Sequence, residues 1–111
     1  VIQLPDRDVT VLFTNRALMT VEKQTGRSVL AIAEGFANGQ SGLGDMVQLL
    51  LAGMQAARRD AREGGPPLRM DDALEVMDQA GFGPTAAVVM GAVGAVLGYS
   101  NEIEESDDPN L

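Results

Sequence analysis

The chain has no cysteine, no histidine and no tryptophan among its 111 residues. Lacking cysteine, it forms no disulfide, builds no zinc–thiolate site and offers no thiol nucleophile. Without histidine it has neither the commonest general base nor the commonest metal-binding side chain, and the usual serine–histidine–aspartate triad is excluded. The single lysine, Lys23, falls on the exposed side of a helical segment, a poor position for a serine–lysine dyad. One tyrosine and three phenylalanines are too few to stack nucleic-acid bases. A formal charge of −8 also opposes binding to a phosphate backbone. Long apolar runs are missing too. Thr85 to Tyr99 spans 15 residues, short of the roughly 20 that cross a bilayer, and reads as a buried helix. These absences predict a non-enzymatic protein that needs no cofactor or metal and binds neither nucleic acid nor membrane.

What is present suits one folded unit. Apolar residues make up 45% and charged residues 22% of the chain, enough for a single core without covalent staples. The pattern predicts an α+β, mainly α fold: a short N-terminal β-hairpin followed by about five helices packed as one small bundle. The hairpin occupies residues 1–14 of a domain over 1–100, and 101–111 form an acidic C-terminal tail expected to be disordered.

Val1 to Leu4 and Val9 to Phe13 read as the two strands, joined by Pro5-Asp6-Arg7-Asp8. Val9, Val11 and Phe13 would share one face. A lone hairpin is marginal in water, so this one either packs on the helices or pairs through its edge with another chain, a second copy included. Around Leu12 to Leu30 the period then changes from two to that of a helix. Thr14 or Asn15 can cap a helix over Arg16 to Thr25, Gly26 stops it, and Ser28 can open the next, which runs to Ala37. Val29, Ile32, Ala33 and Phe36 form its inner face.

The third and longest helix is predicted from Leu43 to Glu63, before Gly64-Gly65-Pro66-Pro67. Leu43, Met46, Val47, Leu50 and Met54 recur along one stripe, which Leu49 and Leu51 widen. A stripe that wide suggests a central helix touched from several sides. Asp71 or Asp72 suits the start of a fourth helix ending near Gly81-Phe82-Gly83. Pro84 fits the first turn of a fifth that continues to Tyr99. On the fifth, Ala87, Gly91, Ala95 and Gly98 mark a small-residue face that another helix could approach closely.

Charge is unevenly placed. Residues 1–40 are neutral overall and 41–70 net +1, whereas 71–111 hold nine acids and no base. The tail acids Glu102, Glu104, Glu105, Asp107 and Asp108 lack the glycine and ligand spacing of a calcium loop and read as solvated. No glycine cluster matches a phosphate-binding motif. Six methionines remain. Methionine fills irregular core gaps, but its softness also suits surfaces that receive varied apolar helices. On the second possibility Met46, Leu50, Met54 and Met90 become candidate partner-binding residues, and Met19 is expected to be exposed.

The order FTNRALMTVEKQTGRSVL, LGDMVQLLLAGMQAARRD, a proline-rich loop and MDDALEVMDQAGF resembles the small tail assembly chaperones of long-tailed phages and gene transfer agents. The similarity is to the branch sometimes labelled a gene-transfer-agent tail-tube protein, and it covers roughly residues 9–97. It rests on the strand leading into Asn15-Arg16-Ala17-Leu18, the Glu22 to Gly26 helix end, Leu50-Leu51-Ala52-Gly53, and the Asp72 to Met77 helix before a glycine turn. The resemblance implies a chaperone that coats the tape-measure protein, recruits the tail-tube protein and leaves before the particle is finished. It implies no catalytic residue and a location in the cytoplasm of a bacterial host cell. The alternative is a structural tail-tube or connector subunit that stays in the virion and assembles through the hairpin edge.

Overall fold

Two hydroxyls decide where the first helices begin. In the computed structural model, which describes residues 1–98, Thr14 Oγ1 accepts the Ala17 N–H at 3.1 Å and opens α1 (Asn15–Thr25). Ser28 Oγ accepts from Ala31 N–H at 3.1 Å and opens α2 (Val29–Asn38). Each bond satisfies a first-turn donor that has no partner within its helix. Between them Gly26 takes a left-handed φ of 73°, which a side chain would strain. Glu22 of α1 accepts the Val29 N–H at 2.9 Å, so one helix helps cap the next and sets the angle between them.

The hairpin is shorter than its sequence pattern suggests. β1 (Ile2–Gln3) pairs antiparallel with β2 (Asp8–Val9), Ile2 opposite Val9 and Gln3 opposite Asp8. Residues 10–13, predicted as strand, cross the third helix instead. There the Leu12 N–H donates to the Gly53 carbonyl at 3.0 Å and Phe13 is buried. Glycine makes the crossing possible, because a Cβ at position 53 would lie 2.7 Å from the Phe13 ring and 3.2 Å from Val11 Cβ. Ile2, Leu4 and Val9 sit in the core and β1 packs on the last helix. The hairpin thus finds its apolar support within the chain.

α3 (Leu43–Asp60) is the centre of the molecule, packing against α1, the fourth helix and the fifth. Met46, Val47, Leu49 and Leu50 are all buried, each contributing roughly 1.5–3 kcal/mol by removal from water. Leu43, predicted at the head of this stripe, is instead 64% exposed. The helix also ends three residues sooner than predicted. Arg62 adopts a φ of 58°, the Glu63 N–H donates to the Arg58 carbonyl at 3.0 Å and the Arg62 N–H to that of Arg59 at 3.1 Å. This crossed pair of bonds is the Schellman closure, completed before the glycines are reached.

α4 (Met70–Ala80) starts where Asp72 accepts the Arg69 N–H at 2.8 Å. It buries Ala73, Val76 and Met77. Gly81, at φ 92° and ψ 152°, then turns the chain directly into α5 (Phe82–Leu97), 116° away. The fifth helix therefore begins two residues before Pro84, which the first turn accommodates because an N–H there has no helical acceptor to lose. Thr85, Val89 and Val93 are its buried row. Among the described residues no single helix is long and apolar enough to cross a membrane.

A polar clasp joins the first three helices. The Arg27 guanidinium donates to Asp45 Oδ2 at 3.1 Å and to Ser41 Oγ at 3.1 Å. The Ser41 hydroxyl in turn donates to the Ile32 carbonyl at 2.8 Å. Asp45 also accepts the Gly42 N–H at 3.0 Å, at the head of α3. Gly35 leaves room for this arrangement, since a Cβ there would overlap the Ser41 hydroxyl. The fold class is the one predicted, α+β and mainly α, while the acidic tail over 101–111 lies outside the described residues.

Candidate partner-binding surface

The four residues singled out for partner binding do not come together on one surface. Met46 and Leu50 have no solvent-accessible area and belong to the core around α3. Met54 and Met90 are half-buried and lie on different helices, packed against that core. The wide stripe on α3 reflects several neighbours within the chain, so it is a core feature and not a groove. Met19 is the predicted exception and is 59% exposed.

Met54 borders a cleft of about 650 Å³ between residues 7–12, the second half of α3 and the start of α4. Two of its polar side chains, those of Arg58 and Asp72, are occupied in building the connection between those helices. Arg58 donates to the Gly64 carbonyl at 2.6 Å, Gln55 accepts the Leu68 N–H at 3.1 Å, and Asp72 holds the Arg69 N–H. The lining has no nucleophile set beside a base. Nor, among the described residues, do three acidic side chains converge in a way that could hold a metal ion.

The apolar surface lies elsewhere, along α2 and α5. At one end Phe36 meets Phe82 with ring centroids 6.4 Å apart and planes tilted by 58°, within the range of favourable aromatic pairs. At the other end Leu30 and Leu97 border a groove of about 230 Å³, together with Leu18, Met19 and Val29. The two helices therefore run in opposite senses, and their backbones come close at few points. Leu30 is 48% and Phe82 40% exposed. Met90 continues the Phe82–Ala86 row along α5, so it is the one predicted contact that borders this surface.

The small-residue row of α5 is exposed. Ala87, Gly91 and Ala95 face outward, and an added Cβ at Gly91 would meet no atom within 4 Å. Among the described residues no other helix uses the close approach that the row permits. Sequence reasoning named the row but missed Leu30 and Phe82. The available signal was that α5 contains no polar side chain except Thr85, which is buried. A half-exposed helix without a polar face departs from the ordinary amphipathic arrangement.

Comparison with known proteins returns no match: no family model, no curated protein and no solved structure resembles this chain significantly.

Proposed function

We propose that this chain is a non-enzymatic tail assembly chaperone, which binds the tape-measure protein and helps recruit tail-tube subunits. One observation carries the binding half of this reading: the uncharged α5, half exposed beside α2, presents Leu30, Phe82 and the Ala87–Gly91–Ala95 row to solvent. Apolar surface rimmed by polar residues marks interaction sites on folded proteins, and a shallow groove between two helices suits a helical partner. The resemblance of residues 9–97 to tail assembly chaperones supplies the identity of that partner. A net charge of −8 would keep a complex with an apolar protein dispersed.

The test is co-expression with a long helical tape-measure protein of a long-tailed phage or gene transfer agent. The tail protein should move from the insoluble to the soluble fraction and copurify with this chain, and mass spectrometry of finished particles should not detect the chaperone. Insolubility unchanged by co-expression, or this chain present in particles at high copy number, would overturn the proposal. The second result would favour a tail-tube or connector subunit. The hairpin gives that alternative little support, because each strand offers only two residues of edge.

A further inference from the structure

We propose that the cleft beside Met54 holds a short extended peptide segment rich in lysine or arginine, which adds as a third strand to the free edge of β2. This surface lies apart from the α2–α5 face, and the inference does not depend on the chaperone reading. The hairpin register shows which backbone groups are free. The Leu4 N–H donates to the Arg7 carbonyl at 2.8 Å, so these two residues form a bonded pair. Bonded and non-bonded pairs alternate along an antiparallel ladder, which makes Gln3–Asp8 non-bonded and Ile2–Val9 bonded. The Arg7 and Val9 carbonyls and the Val9 N–H therefore point at β1. In a planar trans peptide the N–H and C=O point opposite ways, so the Asp8 N–H, the Asp8 carbonyl and the Thr10 N–H point away from β1. None of the three has a hydrogen-bond partner among the described residues.

That edge is a wall of the cleft. Side chains alternate between the two faces of a strand, yet the consecutive residues from Arg7 to Leu12 all line this one cavity. Consecutive residues of an extended chain share a cavity when their backbone edge faces it. β1 takes the other edge. Met54, Ala57 and Leu68 supply apolar lining, and a volume of about 650 Å³ lies within the roughly 300–1,000 Å³ of ligand sites. Charge then selects the segment. Exposed Asp60, Glu63 and Glu75 share the cleft with Asp8 and with Asp72, the cap of α4. Of the two arginines that line it, Arg58 donates to the Gly64 carbonyl and Arg7 stands 3.5 Å from Asp6. This excess of carboxylate complements a cationic segment and repels an anionic one. A second copy of this chain would bring the same carboxylates to the same edge. The free groups span only residues 8–10, which suits strand addition by a short peptide and not the docking of another sheet.

The experiment titrates the full chain with three blocked pentapeptides: Thr-Lys-Val-Lys-Thr, its counterpart with glutamate for lysine, and the lysine peptide N-methylated at its central residues. Binding is followed by backbone amide shifts and by amide exchange at Thr10. The lysine peptide should bind about tenfold more tightly than the glutamate one, as several exposed ion pairs together allow, and added salt should shrink that preference. N-methylation keeps the charge and removes the ladder bonds, so it should weaken binding about tenfold. Shifts should centre on residues 8–10, and Thr10 amide exchange should slow. Glu63→Lys combined with Glu75→Lys should abolish the preference for lysine. Thr10→Pro deletes an N–H that no described residue uses and should weaken the lysine peptide severalfold. Should that variant lose helical circular dichroism, the N-methylated peptide tests the same bonds on the unaltered protein. Equal affinity for the lysine and glutamate peptides, binding unchanged by N-methylation, no binding of any peptide, or shifts centred on α5 would overturn the inference. So would a dimer in sedimentation that Thr10→Pro dissociates, because the edge would then belong to a second copy. Failure here leaves the chaperone reading standing, since its surface lies on α2 and α5.

Discussion

Gly53→Ala and Gly91→Ala are the same chemical change inside two helices, and they should move stability in opposite directions. Replacing an interior helical glycine by alanine gains about 1 kcal/mol from reduced backbone entropy in the unfolded chain. At Gly91 nothing opposes that gain, because the new methyl meets no atom within 4 Å. At Gly53 the methyl would stand 2.7 and 3.0 Å from two atoms of the Phe13 ring and 3.2 Å from Val11 Cβ. Phe13 is 5% exposed and enclosed by the core, so the ring has nowhere to swing. Overpacking of this kind costs about 1–3 kcal/mol. Displacing residues 11–13 also strains the bond from Leu12 N–H to the Gly53 carbonyl, worth about 1 kcal/mol. Gly53→Ala should therefore destabilise the protein by a net amount of about 1–3 kcal/mol, whereas Gly91→Ala stabilises it by about 1 kcal/mol, a rise of roughly 4–6 °C in Tm. Urea and thermal unfolding followed by far-ultraviolet circular dichroism measure both. Stability gains of equal size in the two variants would show that residues 10–13 do not lie across α3, and would refute this account of how the hairpin is attached.

Three further outcomes follow from the packing. Thr85 is fully buried and its hydroxyl has no partner among the described residues, so Thr85→Val should raise stability by about 1 kcal/mol; a loss of that size in urea unfolding would mean the hydroxyl is bonded. Arg62 holds a left-handed conformation at the end of α3, and Arg62→Gly should stabilise by about 0.5–1 kcal/mol, read as a higher urea midpoint at constant slope. Leu50→Ala should cost about 2–5 kcal/mol while Met19→Ala changes stability by less than about 0.5 kcal/mol. Similar small effects at both positions would place Leu50 on the surface after all.

Local chemistry made much of this fold legible in the sequence. Thr14, Ser28 and Gly26 act through bonds and backbone preferences within a few residues of themselves, so their roles as caps and stop could be read without knowing the rest of the structure. The same holds for the α3 stripe, whose width announced a helix with neighbours on several sides. Periodicity reports only that a face is apolar, however, and cannot say what covers it. Met46 and Leu50 looked like candidates for a partner and lie in the core because α3 is enclosed by α1, α4 and α5. Conversely, the small residues of α5 could have received a helix of this chain, and none among the described residues reaches them. Residues 10–13 alternate as a strand does, but leave the ladder because Gly53 opens a path across α3, a condition set some forty positions away in the chain. Arg27 reaches Ser41 and Asp45 at the head of α3 from the turn before α2, and no spacing rule connects that turn with them. The chain by itself determined where its helices begin, which faces they must bury and how its charge is divided. Which apolar faces were spent on the core and which were left exposed was decided only by tertiary packing, because burial depends on what lies opposite, and that is a property of distant residues meeting in space.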